Sequence, residues 1–434
     1  MKDFCVRESA LLGEKALTFT HESGLQVALI PKQQKKAYAL FATRYGSMDR
    51  TFKTKDDRDF ITVPDGIAHF LEHKMFENED GTDTFGAFAA HKASSNAFTS
   101  NERTAYLFST TEDYYQNLEI LLKFVTQPYF TKETVEKEVG IIAQEIGMYQ
   151  DDPGYQVYFG LVNALYRESY LKIDIAGTVE SIKQITPEIL YRCHRTFYDP
   201  HNMMLCLVGP FQAEQVQACC DRILPRGQDL QVEKRYPTEP REIACRRVEK
   251  RLSVSKDLFL AGMKDVAFDP EDSADQKARR MLEMEVLCEM LFGKAAPLYQ
   301  SLYDQGLIAD DFFAGYNFSK NYGFLEMGGE SSDPDAAFRQ VEAYLEQVLK
   351  DPRAHLSPAD FERCRKVCYA NLVQTWNSPQ QIAHNYLELS LDGVDMLGLT
   401  EVLAKMTYDH VLQRLEKAYD TRRLALSVVR PNEE

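Results

Sequence analysis

Strand-like runs of apolar residues occupy the early part of the chain. Over residues 25–29 every second side chain is Leu or Val, and the run stops at Pro31, which predicts a half-buried strand. A second strand is predicted over 38–45. Two β-rich runs, 96–99 and 104–108, flank a polar turn and predict a hairpin.

Helical periodicity follows the hairpin. Thr131 is a suitable N-cap for a helix that runs through Met148, and helices dominate from there to residue 198. Earlier, the Pro-Asp-Gly sequence at 64–66 is a start signal for a shorter helix. The combination of strands with a run of consecutive helices indicates an α+β fold, in which each half is a mostly antiparallel sheet packed with helices.

One pattern occurs twice along the chain. Residues 186–208 and 407–429 each contain a threonine N-cap, an amphipathic helix, a Tyr-Asp pair and an alternating apolar strand, at a constant offset of 221 (407 minus 186). An offset near half the chain length implies two related halves. Residues 225–240 are polar, contain three prolines and lack apolar periodicity. We therefore predict halves at 1–224 and 241–434, joined by a polar linker at 225–240.

Charge narrows the classes of partner. The 434 residues include 50 Lys and Arg and 66 Asp and Glu, a formal net charge of −16. This balance argues against a nucleic-acid partner or an anionic membrane surface, because both favour clustered Lys and Arg. It is compatible with basic substrates, although solubility alone also explains an acidic surface.

The lack of a targeting signal and the pattern of cysteines both indicate a cytoplasmic protein. The first residues have no apolar run suited to a signal peptide, and no later stretch is long enough to span a bilayer. The nine cysteines are an odd number without a CxxC pair, as expected of reduced thiols. We predict a cytoplasmic protein without a membrane partner.

The sequence His69-Phe70-Leu71-Glu72-His73 carries the candidate chemistry. Residues at i, i+3 and i+4 share a helical face, so both imidazoles can bind one metal ion while Glu72 reaches the water that the metal holds. The residue order H-x-x-E-H is the reverse of the H-E-x-x-H motif of zinc proteases and is typical of inverzincins. Alternatively, the two histidines form a solvated face that arose by chance in a chain with nine histidines.

A third ligand is available on the predicted helix 131–148. Glu138 and Glu145 are seven residues apart and so share one helical face. One carboxylate can bind the metal while the other holds a ligand in place. Alternatively, both glutamates are solvated surface residues.

These residues and several flanking motifs resemble the peptidase family of pitrilysin, insulin-degrading enzyme and mitochondrial processing peptidase. The matching segments are 65–76, 96–99, 174–182 and 197–203, together with Glu138 and Glu145. The resemblance covers essentially the whole chain and is best in the first half.

The resemblance implies a role for each residue of the site. His69, His73 and Glu145 would bind one Zn2+ per chain. Glu72 would be the general base that deprotonates the water and passes its proton to the leaving amine, and Glu138 would be a supporting carboxylate. The expected metal site therefore lies in the first half, and the second half is a related domain without metal.

The same resemblance makes the strand after the metal helix a peptide-binding edge. Its residues are Asn96, Ala97, Phe98 and Thr99. An added strand binds through main-chain hydrogen bonds, so such an enzyme selects mostly by the size and shape of its substrate. Alternatively, Asn96 only shapes the strand.

One segment departs from the family pattern. Members often carry an Arg and a Tyr in a segment resembling L-R-E-x-x-G-L-x-Y, and both groups stabilise the tetrahedral intermediate. The corresponding segment 302–309 is one residue shorter than this pattern and has Tyr303 and Ala309 in those positions. Because loss of such a donor slows a reaction about a hundredfold or more, we expect a partner to supply both groups. The expected assembly is a heterodimer with a related metal-free chain, and a homodimer is the alternative.

The predicted function is that of a zinc-dependent endopeptidase acting on short or unfolded peptides or on leader segments. One alternative is a weakly active or non-catalytic assembly subunit of a paired complex. Another is a regulatory zinc-binding protein, which needs a closed site with four protein ligands.

Overall fold

The computed structural model describes residues 4–269 and 271–433. The strands are β1 (Cys5–Ser9), β2 (Glu14–Thr20), β3 (Gln26–Pro31), β4 (Ala37–Thr43), β5 (Thr51–Lys53), β6 (Ile61–Thr62), β7 (Ala93–Thr99), β8 (Thr104–Thr110), β9 (Met203–Gly209), β10 (Glu233–Lys234), β11 (Arg247–Leu252), β12 (Asp257–Asp265), β13 (Phe313–Phe318), β14 (Gly323–Ser331) and β15 (Leu424–Pro431).

The helices lie between groups of these strands along the chain. They are α1 (Ile67–Lys74), α2 (Thr84–Ala90), α3 (Tyr114–Thr126), α4 (Lys132–Asp151), α5 (Pro153–Leu165), α6 (Val179–Ile182), α7 (Pro187–Phe197), α8 (Ala213–Ile223), α9 (Ala274–Phe292), α10 (Pro297–Asp304), α11 (Pro334–Lys350), α12 (Pro352–His355), α13 (Pro358–Thr375), α14 (Pro379–Leu391), α15 (Leu399–Ala404) and α16 (Tyr408–Ala418). Short 3₁₀ turns lie at Tyr170–Lys172, Pro200–Asn202, Met396–Gly398 and Thr421–Arg423.

The described residues form two compact units. The first takes the residues up to Ile146 together with Ile173–Tyr236 and Thr375–Leu391. The second takes Gly147–Lys172, the described residues between Pro237 and Gln374, and those from Asp392 on.

Both units contain the same five-strand arrangement. The sheet of the first unit has the strand order β1-β2-β3-β9-β4-β8-β7, and its last five strands form the shared arrangement. The sheet of the second unit has the order β11-β15-β12-β14-β13. In each sheet one pair is parallel, β3 with β9 and β11 with β15, and the other pairs are antiparallel. The predicted α+β fold of two related halves with mostly antiparallel sheets is confirmed.

The repeated sequence pattern forms the same local structure in both units. Thr186 and Thr407 cap α7 and α16, each accepting the N–H of the residue three positions later. Each helix is followed by a 3₁₀ turn capped by an aspartate, Asp199 or Asp420, and then by β9 or β15. The predicted helix, turn and strand are present at both places.

The middle of the first sheet is buried on both of its faces. Every residue of β4 and of β9 is buried. The strand predicted at 25–29 is present as β3, but its prediction as half-buried is wrong, since Val27, Ala28 and Leu29 are all at most 2% exposed. Helices α3 and α14 pack against this sheet, so its inner strands need apolar side chains at consecutive positions.

Two helices belong to a different compact unit from the one that their position in the sequence suggests. Helix α5 precedes the predicted linker and packs on β11, β12 and β15 of the second unit. Helix α14 follows the linker and packs on β4 and β9 of the first unit. The boundaries 1–224, 225–240 and 241–434 stay a prediction about the sequence repeat, because the compact units divide the chain at other points.

The predicted linker makes ordered contacts within each unit. In the first, β10 pairs with β5. In the second, the carboxylate of Glu239 accepts the N–H groups of Arg167, Glu168 and Ser169. The segment 225–240 is therefore held to the folded units rather than extended away from them.

The nine cysteines are free thiols. Within the part of the chain that the structure describes, no helix combines the length and the apolar character that a membrane crossing requires.

Candidate metal centre

Helix α1 carries the His-x-x-Glu-His sequence and begins where the sequence predicts. Gly66 caps it with φ of 86°, a left-handed conformation that favours glycine. A Cβ at this position would lie 2.3 Å from the carbonyl oxygen of Ala176. Ile67, Phe70 and Leu71 are buried, and their packing fixes the orientation of the helix.

The three predicted ligand residues converge. His69 and His73 lie on α1 and Glu145 on α4, and one ligand atom of each lies within 4.8 Å of the others. Nε2 of His69 is 3.5 Å from Oε1 of Glu145, and Nε2 of His73 is 3.4 Å from Oε2. Tetrahedral ligands at about 2.1 Å from a zinc ion are about 3.4 Å from one another. The donor atoms and their spacing therefore fit zinc.

Glu138 holds one of the two histidines. Its Oε1 accepts a hydrogen bond from Nδ1 of His73 at 3.0 Å, which leaves Nε2 as the nitrogen for a metal. Burial disfavours the imidazolium, but this bond and the charges of the nearby carboxylates raise the pKa of His73 in the metal-free chain. Glu138 is only 8% exposed, so it is not a solvated surface residue.

The cluster offers three protein ligands. Among the described residues it consists of two imidazoles and one carboxylate. Three protein ligands are typical of catalytic zinc sites, whereas structural sites have four. His91, the next histidine in the sequence, ends α2 with its Nδ1 3.2 Å from Asp113. That pairing argues against a closed regulatory site.

Glu72 lies among the histidines but has a partner of its own. The hydroxyl of Thr99 donates to Oε2 of Glu72 at 2.7 Å. Glu72 is 8% exposed, and this burial raises the pKa of its carboxyl, while the Thr99 bond and the charges of His69 and His73 oppose the shift. The carboxylate is thus held in one orientation and shielded from water.

The family resemblance implies a peptide-binding role for Thr99 but does not predict its hydrogen bond to Glu72. Thr99 Oγ1 also lies 3.2 Å from Thr104 Oγ1, and Thr104 donates to the carbonyl of Tyr45 at 2.9 Å. These hydroxyls connect the hairpin to the metal helix. Their pairing across the hairpin is the signal in the sequence, since both threonines flank the predicted turn.

The candidate peptide-binding residues lie on β7, at the edge of the first sheet. β7 pairs with β8 along its whole length, and its outer edge has no partner strand among residues 4–269 and 271–433. Asn96 is exposed, and its Oδ1 accepts the N–H of Ala97 at 2.9 Å. An edge of this kind presents backbone groups to which an extended peptide can pair.

The segment that departs from the family pattern lies in the second unit. Tyr303 is on α10 and 43% exposed, with its ring stacked on that of Tyr299 at 5.9 Å. Gly306 follows the helix with φ of 67°, and Ala309 lies in the loop before β13. No arginine occurs within 302–309.

Comparison with known proteins identifies the family. The chain is similar to a Bacillus subtilis protein described as the uncharacterized zinc protease YmfH, with 38% identity over 428 residues that cover 95% of this chain and 97% of that protein. The chain belongs to the insulinase family of peptidases, family M16. The family model described as insulinase (peptidase family M16) matches residues 63–179, which include both histidines and Glu145. The model described as the M16 inactive domain matches 184–368.

Solved structures agree with membership of family M16. A putative M16-like peptidase from Alicyclobacillus acidocaldarius has a TM-score of 0.90 at 34% identity and covers 100% of this chain and 99% of that one. Pitrilysin has a TM-score of 0.75 at 17% identity over 100% of this chain and 47% of its own, which shows the same fold. Because M16 relatives are described as zinc proteases, a peptidase role and zinc binding follow at the level of the family.

Proposed function

We propose that the chain is a zinc-dependent endopeptidase that hydrolyses short or unfolded peptides, including leader segments. His69, His73 and Glu145 hold one zinc ion, and Glu138 orients His73. The observation that carries the proposal is the convergence of one ligand atom from each of these three residues, all within 4.8 Å of one another, beside the buried carboxylate of Glu72.

Glu72 moves the proton in the proposed reaction. A bound zinc ion supplies Lewis acidity, which acidifies a water molecule and polarises the scissile carbonyl. Glu72 accepts the proton of the attacking water and passes it to the nitrogen of the leaving amine. Thr99 occupies Oε2 of this carboxylate, so we assign the transfer to Oε1.

The peptide binds as an additional strand on β7. The edge formed by Asn96, Ala97, Phe98 and Thr99 ends at the residue that bonds Glu72, so the bound main chain passes the proton carrier. Strand addition uses main-chain hydrogen bonds and accepts many sequences. It favours extended peptides over folded proteins, because a folded substrate has no free strand to add.

We further propose that the chain acts in a pair. Tyr303 and Ala309 stand where the family often has an Arg and a Tyr, and a related metal-free chain would supply both groups to the active site. A homodimer is the alternative assembly. The nine free thiols favour a reducing compartment, the cytoplasm.

A weakly active or non-catalytic assembly subunit is the second candidate function. The absence of arginine at 302–309 favours it. Such a chain would bind zinc and pair with a relative, but it would cleave peptides weakly or not at all, whether alone or with the partner.

Zinc content and peptide cleavage, measured on the same preparations, separate these candidates. The chain is purified alone and with a metal-free M16 relative from a neighbouring gene. The proposal predicts one zinc per chain, no zinc in Glu145→Gln, and unchanged zinc in Glu136→Gln, a control at an exposed position of the same helix. It also predicts cleavage that increases with the partner. Zinc without cleavage in both preparations supports the assembly subunit, and absence of zinc from the unaltered chain contradicts both candidates.

A further inference from the structure

The two faces of β7 have different neighbours. Successive side chains of a strand point to opposite faces of its sheet. Thr99 bonds Glu72 on the face towards α1. The ring of Phe98 stacks instead on His384 of α14, with ring centroids 5.3 Å apart and planes at 22°. Helix α14 therefore supports the candidate peptide-binding strand from the face opposite the metal centre.

His384 connects this edge strand to the interior of the sheet. Its Nε2 lies 2.8 Å from the hydroxyl of Tyr38 on β4, and the two rings are 5.7 Å apart. Tyr38 is 3% exposed. Because β8 lies between β4 and β7, one imidazole joins two strands that share no backbone hydrogen bonds.

Small residues beside Phe98 leave space for this contact. Phe98 pairs with Ala105 on β8, and Ala105 pairs with Ala42 on β4. Both alanines are at most 1% exposed. Their methyl groups occupy little space, so the ring of Phe98 packs against the imidazole of His384 beside them.

An ion pair ties the hairpin to the same helix. Arg103, which ends the turn between β7 and β8, lies 2.6 Å from Glu388, one helical turn after His384. The side chain of Glu388 is 52% exposed, so the pair contributes little to stability by itself. Together with the Phe98 stack, it attaches both ends of the segment 98–103 to α14.

We propose that His384 is a positioning residue for the peptide-binding edge of β7. An edge strand is paired on one side only, so its shape depends more on side-chain contacts than that of an inner strand. His384 holds Phe98, and with it the neighbouring backbone groups, in the extended form that an added strand requires. The inference rests on the proposed peptidase function. It assigns the support of the substrate edge to a residue 286 positions further along the chain (384 minus 98).

Peptide binding without turnover tests this role. In a Glu72→Gln background, the fluorescence anisotropy of a labelled, unstructured peptide gives Kd for the zinc-loaded protein purified in its native assembly. His384→Ala should raise Kd about threefold to tenfold, the range expected for loss of an aromatic pair. His384→Phe keeps a ring against Phe98 and should recover most of the affinity. Asn385→Ala, an exposed neighbour on α14, is the matched control and should leave Kd unchanged.

Kinetics distinguish positioning from a general loss of structure. With Glu72 restored, His384→Ala should raise KM by the same factor, while kcat and the zinc content change by less than about twofold. If His384→Ala does not fold, His384→Leu, which keeps bulk without a ring, takes its place. Unchanged Kd and KM overturn the inference, and so does a parallel loss of kcat and zinc. If the peptide binds no form of the protein, the proposed function fails together with this inference. If the parent and His384→Ala bind the peptide equally tightly, only this inference fails.

Discussion

His73 is fixed from two sides. Glu138 holds its Nδ1 at 3.0 Å, while its Nε2 faces Glu145 at 3.4 Å. A carboxylate on the far nitrogen of a ligating imidazole sets the ring orientation and increases its basicity. Glu138 thus acts through His73, although it is not itself one of the three proposed ligands.

We expect Glu138→Gln to weaken zinc binding about tenfold to a hundredfold, the usual cost of losing such a supporting carboxylate. Competition with a chelating zinc indicator measures this affinity. Glu136→Gln makes the same chemical change on the exposed side of α4 and should bind zinc like the parent. Equal affinities for Glu138→Gln and the parent would contradict a supporting role.

At the scale of single residues, the sequence predicts the proposed metal ligands better than it predicts the residues that hold the site in place. His69, Glu72 and His73 meet because helical spacing alone puts them on one face. The hydrogen bond from Thr99 to Glu72 joins a hairpin to a helix 27 residues earlier. That contact depends on how β7 packs against α1, and periodicity along the chain carries no information about it.

At the scale of elements, the start of α1 depends on a close approach between two backbone segments. Gly66 lies against the carbonyl of Ala176, and Gly177 lies against the carbonyl of Asp65. A Cβ on either glycine would come within 2.4 Å of the facing oxygen. The segment around 174–178 therefore fixes where the metal helix begins.

We expect Gly66→Ala to lower the free energy of unfolding by about 1–3 kcal/mol, because alanine is strained at positive φ and its Cβ would displace Ala176. Urea denaturation of the metal-free chain measures the change. Gly140→Ala is the matched control: Gly140 lies in α4 with nothing within 4 Å of an added Cβ. That substitution should stabilise the chain by up to about 1 kcal/mol. Similar effects of both variants would show that the backbone contact at Gly66 is unimportant.

At the scale of the whole molecule, the repeat in the sequence predicts two related halves but not the composition of each compact unit. The threonine caps and alternating strands recur at a fixed offset, and both copies fold alike. The assignment of α5 to the second unit and α14 to the first is not predictable in this way. An amphipathic pattern shows that a helix must cover an apolar surface, but it does not specify which sheet provides that surface.

A buried histidine makes the stability of the chain depend on pH. His194 on α7 donates from Nε2 to the carbonyl of Val125 at 3.0 Å, and its ring stacks on that of Tyr198. Burial lowers the pKa of His194 from 6.5 to about 4. Between these values the unfolded chain binds a proton that the folded chain does not, so stability falls as the pH decreases through this window.

We therefore expect the metal-free chain to lose up to about 3 kcal/mol of unfolding free energy through His194 as the pH falls from 6.5 towards 4. Urea denaturation in the presence of a chelator at pH values across this range measures the loss. His194→Gln should flatten the dependence, whereas His355→Gln, at an exposed position, should not. An equally steep dependence in His194→Gln would assign the effect to other groups.

The most direct test of the central claim is the paired measurement of zinc content and peptide cleavage in Glu72→Gln. If Glu72 carries the proton and does not bind the metal, the variant should retain one zinc per chain while kcat falls about a hundredfold to ten-thousandfold. Glu136→Gln, measured beside it with the same partner present, should retain both zinc and cleavage. Undiminished cleavage by the zinc-loaded Glu72→Gln chain would contradict the proposed mechanism.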